Sequence, residues 1–316
     1  MEVHQKQSST ATATVHLCSP SSDLTCFGCC PPIRPRHYDC LKYVGSLRRE
    51  FVENRRLFLE QDPPERRPIV GYYCWALGFL DARGRQVGCL LHPSRNGGRD
   101  LRSLIDYGDK CRRESCLPAR VFSLLPPRGQ HFWLPLARGL SPFYFSSSRS
   151  NPLFHLLLWG IEVLEPLRRQ AVEMGWTETE VLYHHPFLTD SAWPPQAHRY
   201  LFRLIMRIMG TPEWPATRLD DPAGKLLSSI RSLPQAQPPS NTASPSTFTH
   251  QLPLEDDFLD FLRLGLGWRK ASLEEALSLK EKIEELARTV VRNLKMEVPC
   301  TKASNRSLSH TPDRVQ

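Results

Sequence analysis

A run of cysteines opens at Cys26-Phe27-Gly28-Cys29-Cys30 and returns at Cys74, Cys89, Cys111 and Cys116, so that these seven thiols, with Cys40 among them, fall within about a third of the chain. Core packing alone seldom requires thiols at that density. Any fold of this chain has to bring several loops to one place, and Cys26, Cys29, Cys30, Cys74, Cys89, Cys111 and Cys116 are the candidate ligands of a metal.

The chain around them has 316 residues, enough to bury a core without disulfides. Its net charge of +8 permits weak attraction to phosphates. Arginines scattered through every segment, with acids among them, argue against a dedicated nucleic-acid face. Residues 1–24 are rich in Ser, Thr and Ala, lack the apolar stretch of a secretory signal, and read as a disordered tail. A cytoplasmic location follows as the expectation, and clustered thiols there are more often metal ligands or redox groups than disulfides. The longest apolar run, Leu153 to Leu164, is broken by His155, Gly160 and Glu162 and falls short of the ~20 residues that cross a bilayer.

Pro31-Pro32-Ile33-Arg34-Pro35 cannot be helical, so the cysteines before it sit on a loop. Apolar residues from Leu41 to Phe58 recur at helical spacing, with Cys40 at the start as a buried hydrophobe or a ligand. Pro68 to Leu80 and Gln86 to Leu91 read as strands of a hairpin turning at Asp81-Ala82-Arg83-Gly84, which would set Cys74 near Cys89 across the ladder. A short helix is predicted from Asp100 to Tyr107, ended by Gly108. Cys111 and Cys116 follow it with a C-x4-C spacing.

Short strands are predicted at Phe132 to Leu134 and Phe143 to Phe145, and a long helix kinked at Pro166 from Pro152 to Met174. The helix from Ala197 to Met209 has an apolar face and an arginine stripe, Arg199, Arg203 and Arg207, read as solvated. The adjacent His184 and His185 point in different directions and read as structural or surface groups. Cys18, in the polar tail, reads as a bystander. Residues 233–253 form a Pro- and Ser-rich linker before a carboxy-terminal helical segment, 254–298, and a disordered tail, 299–316. Ser272-Leu273-Glu274-Glu275 is a capping box. The helix it opens carries Ala276, Leu279, Ile283, Leu286 and Val290 as a narrow seam that docks on the body or, through residues 273–294, on a protein partner. The fold class that results is α+β: a cysteine-rich loop and hairpin region, within residues 25–232, on a mainly helical body with disordered termini.

The thiolates suit a zinc ion or an iron-sulfur cluster, the first as a staple and the second for electron transfer or sensing. His92 is a candidate additional donor to the ion. Two other functions compete: a thiol redox enzyme using the C-x2-C pair Cys26 and Cys29, and an interaction protein with structural zinc and a partner-binding terminal helix. No phosphate loop, nucleophile elbow or catalytic carboxylate pair is recognisable.

The order of thiols resembles a zinc- or iron-chelating domain family of bacterial proteins, whose pattern is C-x2-C-x2-C-C followed by three later cysteines. Cys26, Cys29 and Cys30 match its opening positions, Cys74 with Leu77 and Gly88 with Cys89 resemble the next elements, and Cys111-Arg112 resembles the closing pair. Asp23 stands where the family has its first cysteine, an expected arginine-proline pair is missing, and Cys116 has no counterpart. The resemblance covers about residues 23–116 and implies metal binding. Iron-sulfur relatives of that family include protein lysine methylases, but no methyl-donor site is recognisable here.

Overall fold

The helical spacing that begins at Leu41 produces a short 3-10 turn, Cys40–Tyr43, and then α1, Val44–Glu60, in a computed structural model that describes residues 15–21, 24–30, 38–61, 64–113, 115–210, 219–238 and 247–297. The buried stripe of α1, Leu47 and Phe51, packs on the hairpin of β1, Leu77–Phe79, and β2, Val87–Cys89. Polar groups of α1 hold the same strand: the Asn54 amide donates to the Leu77 carbonyl at 2.9 Å and Arg55 to that of Phe79 at 3.1 Å. The hairpin turns where the sequence places it. The Asp81 carboxylate accepts the amides of Arg83, Arg85 and Gln86, and Gly84 takes a φ of 65°.

The first strand is much shorter than 68–80. Glu50 of α1 accepts the amides of Tyr72 and Tyr73, at 3.1 and 2.9 Å, so these groups serve a helix and not a neighbouring strand. Gly71 permits that approach, because a Cβ there would run into the Glu50 carboxylate. Leu77 stands opposite Cys89, so Cys74 precedes the ladder and does not face Cys89 across it. The helix expected at 100–107 is a 3-10 turn, Arg102–Leu104, shaped by Asp100 accepting from the Arg102 backbone and side chain. Gly108 starts α2, Gly108–Arg113, instead of ending a helix; its missing Cβ leaves room for the Arg102 carbonyl.

The remainder is helical: α3, Leu117–Leu124; α4, Pro127–Trp133; α5, Pro142–Ser146; α6, Pro152–Leu157; α7, Ile161–Met174; α8, Glu178–His184; α9, Pro195–Met209; and α10, Asp220–Arg231. The strands expected near 132 and 143 are therefore helices. Pro127 and Pro142 sit in their first turns, where proline is pre-organised and its missing amide costs nothing. The single helix expected over 152–174 is two, capped at the start by the Asn151 side chain and broken at Gly160 with φ 83°. Pro166 stays inside α7.

After α10 come β3, Thr247–Phe248, the helix α11, Asp256–Asp260, with a π-helical turn to Gly265, then β4, Lys270–Ala271, and α12, Leu273–Glu297. β3 pairs with β4, giving a second small antiparallel pair beside the hairpin. Part of the expected linker, 239–246, lies outside the described residues, but its flanks are packed. Ala236 is buried and its carbonyl accepts from Trp268 Nε1, while Thr249 is fully buried and donates to the Trp268 carbonyl. The terminal segment thus belongs to the main core. Ala276, Leu279 and Ile283 of α12 are fully buried in contact with α9 and α10, which covers the seam offered to a partner. Ser272 and Glu275 form the expected reciprocal cap. The arginine stripe of α9 is an inter-helix ion-pair ladder: Arg199 meets Asp260, Arg203 meets Glu255 and Asp257, and Arg207 meets Glu284. Among the described residues no helix is long and apolar enough to cross a membrane. Of the expected amino-terminal tail, 15–21 is placed and Leu17 is buried in the main core, whereas 1–14, 22–23 and 298–316 lie outside the described residues.

His184 stacks on Trp176 with ring centres 3.9 Å apart. His185 is buried with Nε2 3.0 Å from Gln170 Oε1, and burial, aided by His184 and opposed by Asp220, lowers it to about 4. The folded state thus binds this proton more weakly than the unfolded chain. Its contribution is complete above the unfolded value near 6.5 and is lost as the pH falls toward 4, an effect of roughly 3 kcal/mol at most. A urea-unfolding series over that range should show the loss in the wild type and a flatter profile in His185→Gln.

Candidate metal centre

The loop that carries the first cysteines is fixed by the residues between them. Thr25 Oγ1 accepts from the Val87 amide at 3.0 Å, tying the loop to β2, and the Phe27 amide donates to Ser146 Oγ at 2.9 Å, tying it to the end of α5. The Phe27 ring, 1% exposed, meets Phe51, Tyr73 and Phe143 edge-on, each with ring centres 5.4 Å apart. The Cys30 amide then closes a turn on the Phe27 carbonyl at 3.0 Å. Gly28 is required by the close approach, since a Cβ there would lie 2.9 Å from the Ser146 carbonyl oxygen and 3.3 Å from Cys26 Sγ.

A cavity of about 420 Å³ lies against this loop, and all seven cysteines expected as ligands line it. The hairpin brings Cys89 from β2 and Cys74 from the bend before β1. α2 brings Cys111, whose carbonyl accepts from Arg102 at 3.2 Å. Cys116 arrives as the residue that caps the amino end of α3. An eighth thiol, Cys18, lines the same cavity and is exposed, as its sequence position suggests. The Cys26 amide donates to the Cys18 carbonyl at 2.9 Å, and the neighbouring Leu17 is buried, so the polar stretch is pinned at this point. The sequence signal for it is slight: an apolar residue beside a cysteine, shortly before the loop. Cys40 is elsewhere, buried with its thiol donating to the Phe143 carbonyl at 3.3 Å.

Burial is the main force on these thiols. It pushes Cys89 up to about 11 and Cys74 to about 12, and raises Cys26 and Cys116 as well. Cys30 is raised well above the ordinary range, first by a hydrogen bond with Cys29 and then by burial. The thiols also raise one another, as like charges must. A redox or nucleophilic cysteine needs the opposite shift, so Cys26 gains nothing from its surroundings as half of an enzyme pair.

Backbone amides nonetheless point at the sulfurs. Gly28 N–H donates to Cys26 Sγ at 3.2 Å, Ala76 N–H to Cys74 Sγ at 3.4 Å, and the Leu91 amide favours the Cys89 thiolate. Such donors stabilise a thiolate once a cation has displaced its proton. Arg102 lines the cavity, its guanidinium held on Asp100 at 2.7 Å, and acts on Cys89 and Cys111. His92 also lines it, but Nδ1 is engaged 2.8 Å from Ser94 Oγ and the ring is lowered by desolvation. Asp23 lies outside the described residues.

As placed, no group of three or more His, Cys, Asp or Glu side chains among the described residues is drawn together tightly enough to hold an ion. Removing the Phe27 ring tests how the loop is held. Phe27→Ala should cost about 3–5 kcal/mol in urea unfolding and speed the reaction of the cavity thiols with a thiol reagent under native conditions.

Comparison with protein-family models, with curated proteins and with solved structures finds no match to this chain.

Proposed function

We propose that this protein binds a thiophilic metal, as zinc or an iron-sulfur cluster, through the cysteines of the cavity. The carrying observation is that the seven thiols singled out by spacing, coming from five separate stretches of chain, all line one cavity. Chance burial of small apolar side chains would scatter them as Cys40 is scattered. The resemblance of the spacing to the chelating domain family points the same way. A softly polarisable thiolate favours such metals over hard cations, and the cation would offset the desolvation, and second the mutual repulsion, that keep the sulfurs protonated.

The role that best fits is structural. The cysteine-rich region has small apolar clusters of its own, one around Phe27 and Phe51 and one around Trp75 and Leu91, and little regular structure joins them. A bound metal would staple the loop, the hairpin and the segment around α2 to the helical body. A reducing compartment such as the cytoplasm keeps the ligands available.

Anaerobically purified protein should carry thiophilic metal by elemental analysis. Zinc would leave it colourless, and a cluster would give absorbance near about 400 nm. A strong chelator should lower the unfolding midpoint by on the order of 10 °C, since a few kcal/mol of binding linkage corresponds to roughly 2–4 °C per kcal/mol in a chain of this size. Cys29→Ser and Cys111→Ser should each reduce metal content. Metal-free protein whose midpoint ignores the chelator would refute the reading.

A further inference from the structure

We propose that residues 15–21 are a strap forming one side of the thiol cavity, and that its release from the helical body, short of global unfolding, admits ions and reagents to the enclosed sulfurs. The proposal concerns access to the cavity and holds with or without a bound metal.

Two contacts seat the segment on the helical body. The Val15 amide donates to Gln130 Oε1 at 3.0 Å, and Leu17, 3% exposed, enters the main core. Gln130, on α4, is a built socket for the first of these. It is 1% exposed, and its Nε2 donates to the carbonyls of Phe122 and Leu125, each at 3.1 Å, which turns Oε1 toward the strap. With Val15 withdrawn, that oxygen is left buried without the donor it has here, a cost that favours the seated state. The side chains sort accordingly: Val15 and Leu17 pack on the body, whereas His16 and Cys18 are exposed.

On its other side the segment meets the cysteine loop. The Ser19 amide closes a turn on the His16 carbonyl at 3.0 Å, the Cys26 amide donates to the Cys18 carbonyl at 2.9 Å, and Ser21 pairs with Leu24. Cys18 and Ser19 thereby line the cavity together with Thr25 and Cys26. The hairpin wall of the same cavity is held by its own ladder and by Leu47, Phe51, Asn54 and Arg55 of α1. The strap is held to the body by one buried leucine and one buried hydrogen bond, with Val15 packed beside them. A segment with so few buried contacts opens at a lower free energy than the core it rests on, so this side of the cavity yields before the hairpin does.

The test is alkylation of the purified full chain by iodoacetamide under native, reducing conditions, with each cysteine followed by peptide mass spectrometry. Cys40, buried outside the cavity with its thiol on the Phe143 carbonyl, serves as the internal clock for global unfolding. In the wild type the rate at Cys26 should rise less steeply with urea than the rate at Cys40, because strap release exposes less surface than unfolding does. Leu17→Ala should speed Cys26 by about tenfold or more, the effect of deleting a buried leucine anchor, without a matching rise at Cys40. The expectation is the same whether the sulfur is free or must first surrender an ion, since both pass the strap. A Cys26 rate that follows Cys40 across the urea series overturns the strap, and that wild-type result needs no variant. So does a Cys26 rate that Leu17→Ala leaves unchanged or raises only in step with Cys40. Metal binding is decided separately, by elemental analysis of the same sample.

Discussion

Burial of the Phe27 ring among Phe51, Tyr73 and Phe143 is the contact on which the cysteine-rich region depends. It draws the loop of Cys26 to Cys30 onto α1, the bend before β1 and α5 at once. The anchor is apolar and edge-to-face, so it fixes position without using any thiol. The cysteines on either side of Phe27 are then held at the border of a packed aromatic cluster, facing a cavity whose other walls come from residues up to Cys116.

That placement creates a problem that the protein alone leaves open. Thiols gathered in a partly buried cavity resist ionisation, by desolvation first and by one another second. Yet amides of Gly28 and Ala76 are spent on two of the sulfurs, and guanidinium groups stand beside others. Donors and cations arranged around groups that hold their protons make sense if the protons are exchanged for a metal. The helical body meanwhile gains its cohesion elsewhere, from the α9, α10 and α12 packing and the arginine ladder of α9.

The amphipathic helices and the capping box at Ser272 were legible because 3.6-residue periodicity and cap chemistry are local. So were the turn at Asp81 and the gathering of seven cysteines around one cavity. What was not legible depends on contacts distant in sequence. Glu50 reaching the Tyr72 and Tyr73 amides shortens a strand that the aromatic composition favours. Prolines at 127 and 142 read as breaks, yet they start helices whose aromatic residues look like strands. The arginines of α9 read as solvated because their partners, Asp257, Asp260 and Glu284, lie far along the chain. Cys18 sits in a polar stretch whose composition hides the buried Leu17 beside it.

Whether the cavity thiols hold a metal, as proposed, decides why they are gathered. X-ray absorption at the metal edge of the purified full chain reads it directly, by the number and kind of first-shell scatterers. A metal held by the cavity cysteines alone would show about four sulfur atoms at ~2.3 Å and no nitrogen or oxygen bound to it. A shell dominated by nitrogen or oxygen, at ~2.0–2.1 Å, would contradict it.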